Sequence, residues 1–246
     1  MKKSVIAVTI ACAVAFQGRA HSEVVNVYTS AISAPLVISD TQGVYPDMIA
    51  YLNRQNLDRL TFKLSYLPRK RLQLKIEKGE IDGIVIGMMP HWFDDGAQQK
   101  YLWTMPFAID RYVVVMRPDL PYNARQPGSL SGRSAGMVLG YNYPDLEPWM
   151  REQNLVRNDA ASEDINLEKL RLGRVDCVIT IESVVRYYLK THAVTDQFKL
   201  YELPARPTER RFLVPHSKAA VFDKIAPLMR KLKDDPDWQR DAARYR

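Results

Sequence analysis

Few side chains in this sequence could do reactive chemistry, and they are scattered. The four histidines, His21, His91, His192 and His216, and the two cysteines, Cys12 and Cys177, share no metal-ligand spacing. No Gly-x-Ser-x-Gly elbow and no phosphate loop occurs. Glu182 and His91 could act as an acid–base pair only if the fold brings them together across a cleft. No catalytic residue, metal site or cofactor is therefore assigned. What the chain does offer is chemistry for holding a solute. Arg69, Lys70 and Arg71 follow Pro68, which suits the first turn of a helix, where free N–H groups and the dipole already favour an anion. Arg69 is either a cleft cation or part of a solvated basic face. Arg210 and Arg211 begin a strand; alternation sends only one of them to a given face, and structural ion pairing is the other reading. Tyr28, Trp92, Phe93, Trp103, Tyr141 and Tyr143 fall at strand ends or in loops, with Met88 and Asn142 beside them. Aromatic walls suit a flat or apolar ligand, or a cation. Glu182 opens a helix, either facing a ligand or serving as a first-turn acid. The expected ligand-binding set is Tyr28, Arg69, Met88, Trp92, Trp103, Tyr141, Asn142 and Glu182.

The elements that must position these residues centre on a motif that occurs twice. Gly79-Glu80-Ile81-Asp82-Gly83-Ile84-Val85-Ile86-Gly87 is one copy and Gly173-Arg174-Val175-Asp176-Cys177-Val178-Ile179-Thr180-Ile181 the other. Each follows an amphipathic segment, 71–78 and 167–172. In each, a helix ends, glycine takes the left-handed cap position, and a strand covered on both faces begins. A spacing of 94 residues is too long for a solenoid repeat and implies two similar lobes. Before the first copy the pattern reads strand (24–28), loop with Pro35, helix from Tyr45-Pro46-Asp47, alternating strand (60–66), helix after Pro68. That β-α-β-α-β order calls for a parallel sheet with right-handed crossovers. After Gly87 come an aromatic and acidic loop, a strand at 111–116, a Pro-rich connector, a strand at 134–139, a helix through Leu146, Trp149 and Met150, a short strand at Leu155-Val156 and a helix from Ser162. The second copy is followed by a helix (182–190), strands at 198–201 and 210–214, and two closing helices, 218–233 and 236–245.

The chain start reads as a secretory leader. Met1-Lys2-Lys3 is basic, 5–16 is apolar but too short to span a bilayer, and Gly18-Arg19-Ala20 offers small residues for cleavage after Ala20. The segment before Cys12 fits a lipidation box poorly, so a soluble periplasmic protein is expected. Losing Lys2, Lys3 and Arg19 takes the net charge from +7 to +4. That mild excess favours anionic partners without singling out nucleic acid. Only Cys177 remains, in a core-like strand, so no intrachain disulfide can form.

These segments, in this order, resemble the periplasmic solute-binding proteins of the polar amino-acid class, family 3. Ser129-Leu130-Ser131-Gly132-Arg133-Ser134-Ala135-Gly136 is similar to that family's second-lobe opening, Leu170-Arg171-Leu172-Gly173-Arg174-Val175-Asp176 to its second-lobe helix and strand, and Phe212-Leu213-Val214-Pro215-His216-Ser217-Lys218 with two helices to its tail. The resemblance implies an α/β fold of two periplasmic-binding-protein-like lobes joined by two hinge crossings, near Tyr112–Met116 and 201–206. Lobe one would comprise 21–111 with 206–246, and lobe two 112–205. It implies a monomer that captures a small solute between closing lobes for the membrane subunits of an ABC importer, binds no nucleic acid and is not an enzyme. A membrane sensor component, or a periplasmic enzyme resembling cyclohexadienyl dehydratases, would use the same fold. Family members carry an arginine for the ligand carboxylate in the loop after the first repeated strand; 88–99 has none, and Asp94 stands about where it belongs. They also carry an aspartate for the ligand ammonium where this chain has Ile181, followed by Glu182. The resemblance therefore does not imply a simple α-amino acid as ligand.

Overall fold

The computed structural model describes residues 23–120, 122, 123 and 128–245. The expected leader, 1–20, with Cys12, lies outside them.

The chain opens with β1 (Glu23–Thr29), α1 (Val44–Arg54), β2 (Leu60–Tyr66), α2 (Arg69–Glu77) and β3 (Ile84–Met88). β1 pairs in parallel with β2 and β3, as the β-α-β-α-β pattern requires. β3 is buried along its whole length, which is why its sequence shows no alternation. After a single 3₁₀ turn, Pro90–Phe93, come β4 (Leu102–Trp103) and β5 (Ala108–Asp110), and then β6 (Tyr112–Met116). The second half supplies β7 (Ser134–Val138), α3 (Glu147–Glu152), β8 (Val156–Ala160), α4 (Glu163–Arg171), β9 (Cys177–Ile181), α5 (Glu182–His192) and β10 (Lys199–Glu202). β11 (Thr208–Val214), α6 (Ala219–Lys231) and α7 (Pro236–Ala243) close it.

Two sheets result, and the fold is two-lobed α/β. The first runs β2-β1-β3-β11-β4, with β5 also on β11; the second runs β10-β6-β9-β7-β8. The chain passes from the first sheet to the second within 110–112 and back within 202–208. β5 lies antiparallel to the start of β11 and β6 antiparallel to β10, so the two passages run side by side. Arg111 sits in one passage and bonds Glu202, at the start of the other, at 3.0 Å.

One core cluster runs from the first sheet into β6, β7 and β9 of the second. α1, α6 and α7 cover the first sheet through Met48, Leu52, Ile225, Met229 and Trp238. α4 and α5 cover one face of the second through Leu167, Leu170, Val185 and Leu189, which meet Val113, Val115 and Val178. The repeated motif is structural in both halves. α2 ends with Gly79 N–H on the Ile76 carbonyl and Glu80 N–H on that of Lys75; α4 ends with Gly173 on Leu170 and Arg174 on Lys169. Both glycines have φ of 70°, the left-handed value such a cap needs. The motif aspartates then tie each strand to its sheet. Asp82 accepts from the Tyr28 hydroxyl, and Asp176 from the Ser134 N–H and Oγ, each at 2.8 Å.

Candidate functional site

A cavity of about 60 Å³ lies between the lobes, outside the carboxyl ends of β1, β3 and β9. That volume admits a few water-sized groups. Ligands of open α/β sheets bind in this kind of crevice. One wall comes from Thr29 and Ser30 at the end of β1, from Gly87 and Met88 at the end of β3, and from Arg210 on β11. The other comes from Tyr141, Asn142 and Tyr143 after β7, Glu163 at the start of α4, and Thr180 and Ile181 at the end of β9. Gly87 is required here by close approach: at φ 82° a Cβ would lie 2.0 Å from the Tyr45 hydroxyl.

Arg69 begins α2, where Pro68 sets the entry into the helix. Its Nη1 donates to Met88 Sδ at 3.0 Å, and its guanidinium lies 5.1 Å from the Trp92 ring centre. Burial holds the group below the ordinary arginine range. Arg210 is buried and donates through Nη1 to the Tyr45 hydroxyl at 3.1 Å; its Nε has no partner. Among the described residues neither arginine forms an ion pair. Asp110 is within electrostatic reach of Arg210 but is held by the Ser183 N–H and hydroxyl. Trp92 Nε1 and Thr180 Oγ1 are buried without partners as well.

Among the described residues, Glu163 is the one carboxylate on the cavity wall. Burial pushes its pKa up, and the Ser33 hydroxyl donates to it from the opposite lobe. Two more bonds cross between the lobes: Tyr141 Oη donates to the Ser30 carbonyl at 3.0 Å, and His91 Nε2 lies 2.6 Å from Asp145 Oδ2. The cleft is closed. Burial raises the phenol of Tyr112 to about 12, and those of Tyr141 and Tyr143 also rise, so the aromatic wall is neutral.

Of the residues expected from sequence, the structure brings Arg69, Met88, Trp92, Tyr141 and Asn142 together on this cavity. Tyr28, Trp103 and Glu182 lie elsewhere. Tyr28 bonds Asp82. Trp103 Nε1 donates at 2.7 Å to Asp95, which also accepts from the N–H groups of Gln99, Lys100 and Tyr101 and so organises that loop. Glu182 pairs with Arg111 and Arg186; burial opposes its charge, but the two guanidiniums outweigh it and lower its pKa. His91 and Glu182 therefore have separate partners. Asp94 is exposed, at the left-handed end of the 3₁₀ turn. Sequence reasoning missed Glu163 and Tyr45. Of the two strand arginines it left open, Arg210 faces the cavity and Arg211 pairs with Glu209.

No protein-family model and no curated protein matches this sequence. Solved structures do match the fold. The substrate-binding protein of an amino acid ABC transporter superimposes with a TM-score of 0.70 at 17% identity, over 91% of this chain and 99% of the other. An ancestral arginine-binding protein bound to arginine gives 0.69 at 16%, over 92% and 99%. The periplasmic VFT2 domain of Bordetella pertussis BvgS gives 0.67 at 17%, over 91% and 93%. The chain thus has the two-lobed fold found in substrate-binding proteins of amino-acid ABC transporters.

Proposed function

We propose that this chain is a periplasmic solute-binding protein, exported with cleavage near Ala20, that captures a small solute between two closing lobes and presents it to the membrane subunits of an ABC importer. The observation that carries this reading is the enclosed cavity between the sheets, lined by polar donors from both lobes and shut by bonds across it. We assign 21–111 with 206–246 to one lobe and 112–205 to the other, and the passages at 110–112 and 202–208 to the hinge. The molecule binds its ligand without turning it over and works as a monomer.

Simple neutral α-amino acids are poor ligands on this reading. No arginine stands in 88–99, and Ile181 lines the cavity where an acid would meet an ammonium. A zwitterion would give its carboxylate to one of Arg69 and Arg210 and leave the other uncompensated, and a buried charge without its partner costs several kcal/mol. A second reading, the sensing domain of a membrane signalling protein, is favoured by the match to the BvgS periplasmic domain.

Native mass spectrometry on protein recovered from the periplasm tests the proposal. It should give a chain beginning near residue 21 with a released small solute. Solution scattering with and without that solute should then show a smaller radius in the bound form. Identical profiles at saturation would sink the clamshell mechanism.

A further inference from the structure

The cavity carries more positive than negative charge. Two guanidiniums, Arg69 and Arg210, line it against the single carboxylate of Glu163. In buried sites charge is ordinarily matched by a partner, because an isolated ion in a low-dielectric interior is costly. Neither arginine has such a partner in the protein. Arg69 is satisfied only by a thioether and the faces of Trp92 and Phe93. Arg210 is satisfied by one phenol and keeps Nε free. Each also feels the other's charge. Asp110 is within electrostatic reach of Arg210 and supports its charge, but it forms no ion pair with it and does not line the cavity.

The unpartnered polar atoms on the wall point the same way. Trp92 Nε1 and Arg210 Nε can only donate, and the Thr180 hydroxyl can donate as well. Buried donors without acceptors are rare in native structures. A site that presents donors and excess positive charge is complementary to a solute rich in acceptors and negative overall.

We propose that the cavity binds a small oxyanion-bearing solute of net negative charge, its oxyanion groups engaging both Arg69 and Arg210. A zwitterion of zero net charge leaves one guanidinium uncompensated, and a cation adds to the excess. Glu163, on the opposite lobe, is free to meet at most one donor group of the solute, since Ser33 already donates to it. This inference rests on the solute-binding reading and deepens it. The oxyanion could be an organic carboxylate or inorganic phosphate, which share this chemistry.

Calorimetry and thermal shift on the full chain, freed of co-purified solute by unfolding and refolding, test it with succinate, L-glutamate, inorganic phosphate, L-glutamine and L-lysine. At least one of the three anionic probes should bind about 100-fold or more tightly than L-glutamine and L-lysine. Arg69→Gln and Arg210→Met should each weaken that probe by about 30-fold or more. Arg69 is only partly buried, at a helix start, so its variant remains informative if the Arg210 variant does not fold. Binding of phosphate with no binding of succinate or L-glutamate would make the ligand an inorganic oxyanion. L-glutamine or L-lysine binding as tightly as the anions overturns the inference. So does failure of all three anions, or unchanged anion affinity in Arg69→Gln. Scattering separates the two levels: contraction with a neutral or cationic solute keeps the solute-binding reading and removes this one, whereas no contraction with any probe or with a periplasmic extract removes both.

Discussion

Arg210 sits in a strand core with one hydrogen bond to a neutral phenol and no carboxylate within ion-pair distance. Burial opposes that charge, but Tyr45, Asp110 and Tyr112 outweigh it and hold its pKa above the ordinary arginine value. Arg210→Met is expected to lower unliganded stability by roughly 1–3 kcal/mol in chemical denaturation, because Asp110 and the Tyr45 hydroxyl lose it, and also to weaken ligand binding. A merely structural arginine would show the stability loss without the loss of affinity. Glu163 makes a second prediction. Its folded pKa is raised above the ordinary 4.5 by burial, so the native state binds the proton more tightly than the unfolded chain does. Its contribution is most favourable below the unfolded value and declines as pH rises through the folded one. Glu163→Gln cannot ionise, so its stability relative to the parent should increase from about pH 4 to about pH 7, read from melting curves across that range. The sequence showed why Arg69 should matter, because a helix start is a local feature. It could not choose between Arg210 and Arg211, since the facing is set by pairing with β3 and by a register shift between Arg211 and Phe212. Glu163 read only as part of the helix from Ser162, because its partner Ser33 is 130 positions away.

At the scale of elements, the doubled motif was legible because its signals are local: an amphipathic turn, a glycine, and an apolar run. Its caps form with the same pair of hydrogen bonds in both lobes. Gly173→Ala should cost about 1 kcal/mol, for a side chain in the left-handed region whose Cβ would make only ordinary contact with the Arg117 side chain, at 3.6 Å. Gly87→Ala should cost more, about 2–3 kcal/mol, since the backbone penalty is joined by a clash with Tyr45. It should also impair binding, because Tyr45 holds Arg210. Denaturation midpoints and calorimetry on the two variants check the contrast. Elements that depend on partners were harder to see. β4 and β5 are two and three residues long and exist only through pairing with β11. β8 extends to Ala160, beyond the Leu155-Val156 expected, because its polar Arg157-Asn158-Asp159 segment forms an exposed edge on β7, where charge rather than alternation is normal.

For the whole molecule, the question is what holds the lobes together. The order of elements implied two lobes, but no sequence pattern reveals which surface groups meet when they approach. Among the described residues, three bonds cross the cleft away from the hinge, from Glu163, Tyr141 and His91, while Asp110–Ser183 and Arg111–Glu182 join the lobes at the hinge itself. The first two belong to the cavity wall and would be altered by any ligand. His91–Asp145 lies outside it, with Asp145 only 11% exposed, so it biases the closed state without touching the solute. A charge-assisted bond of this kind contributes roughly 1.5–3 kcal/mol. Removing it lowers the closed population of the unliganded protein, and apparent affinity falls in proportion to that population. His91→Ala and Asp145→Asn should therefore each weaken binding by about tenfold, chiefly through faster dissociation. The double variant should be little worse than either single one, because both remove the same bond. Scattering should show the unliganded variants wider than the parent, with the liganded forms converging. An affinity loss that adds fully in the double variant would mean that the two residues act separately, and an unchanged radius would remove this pair as the latch.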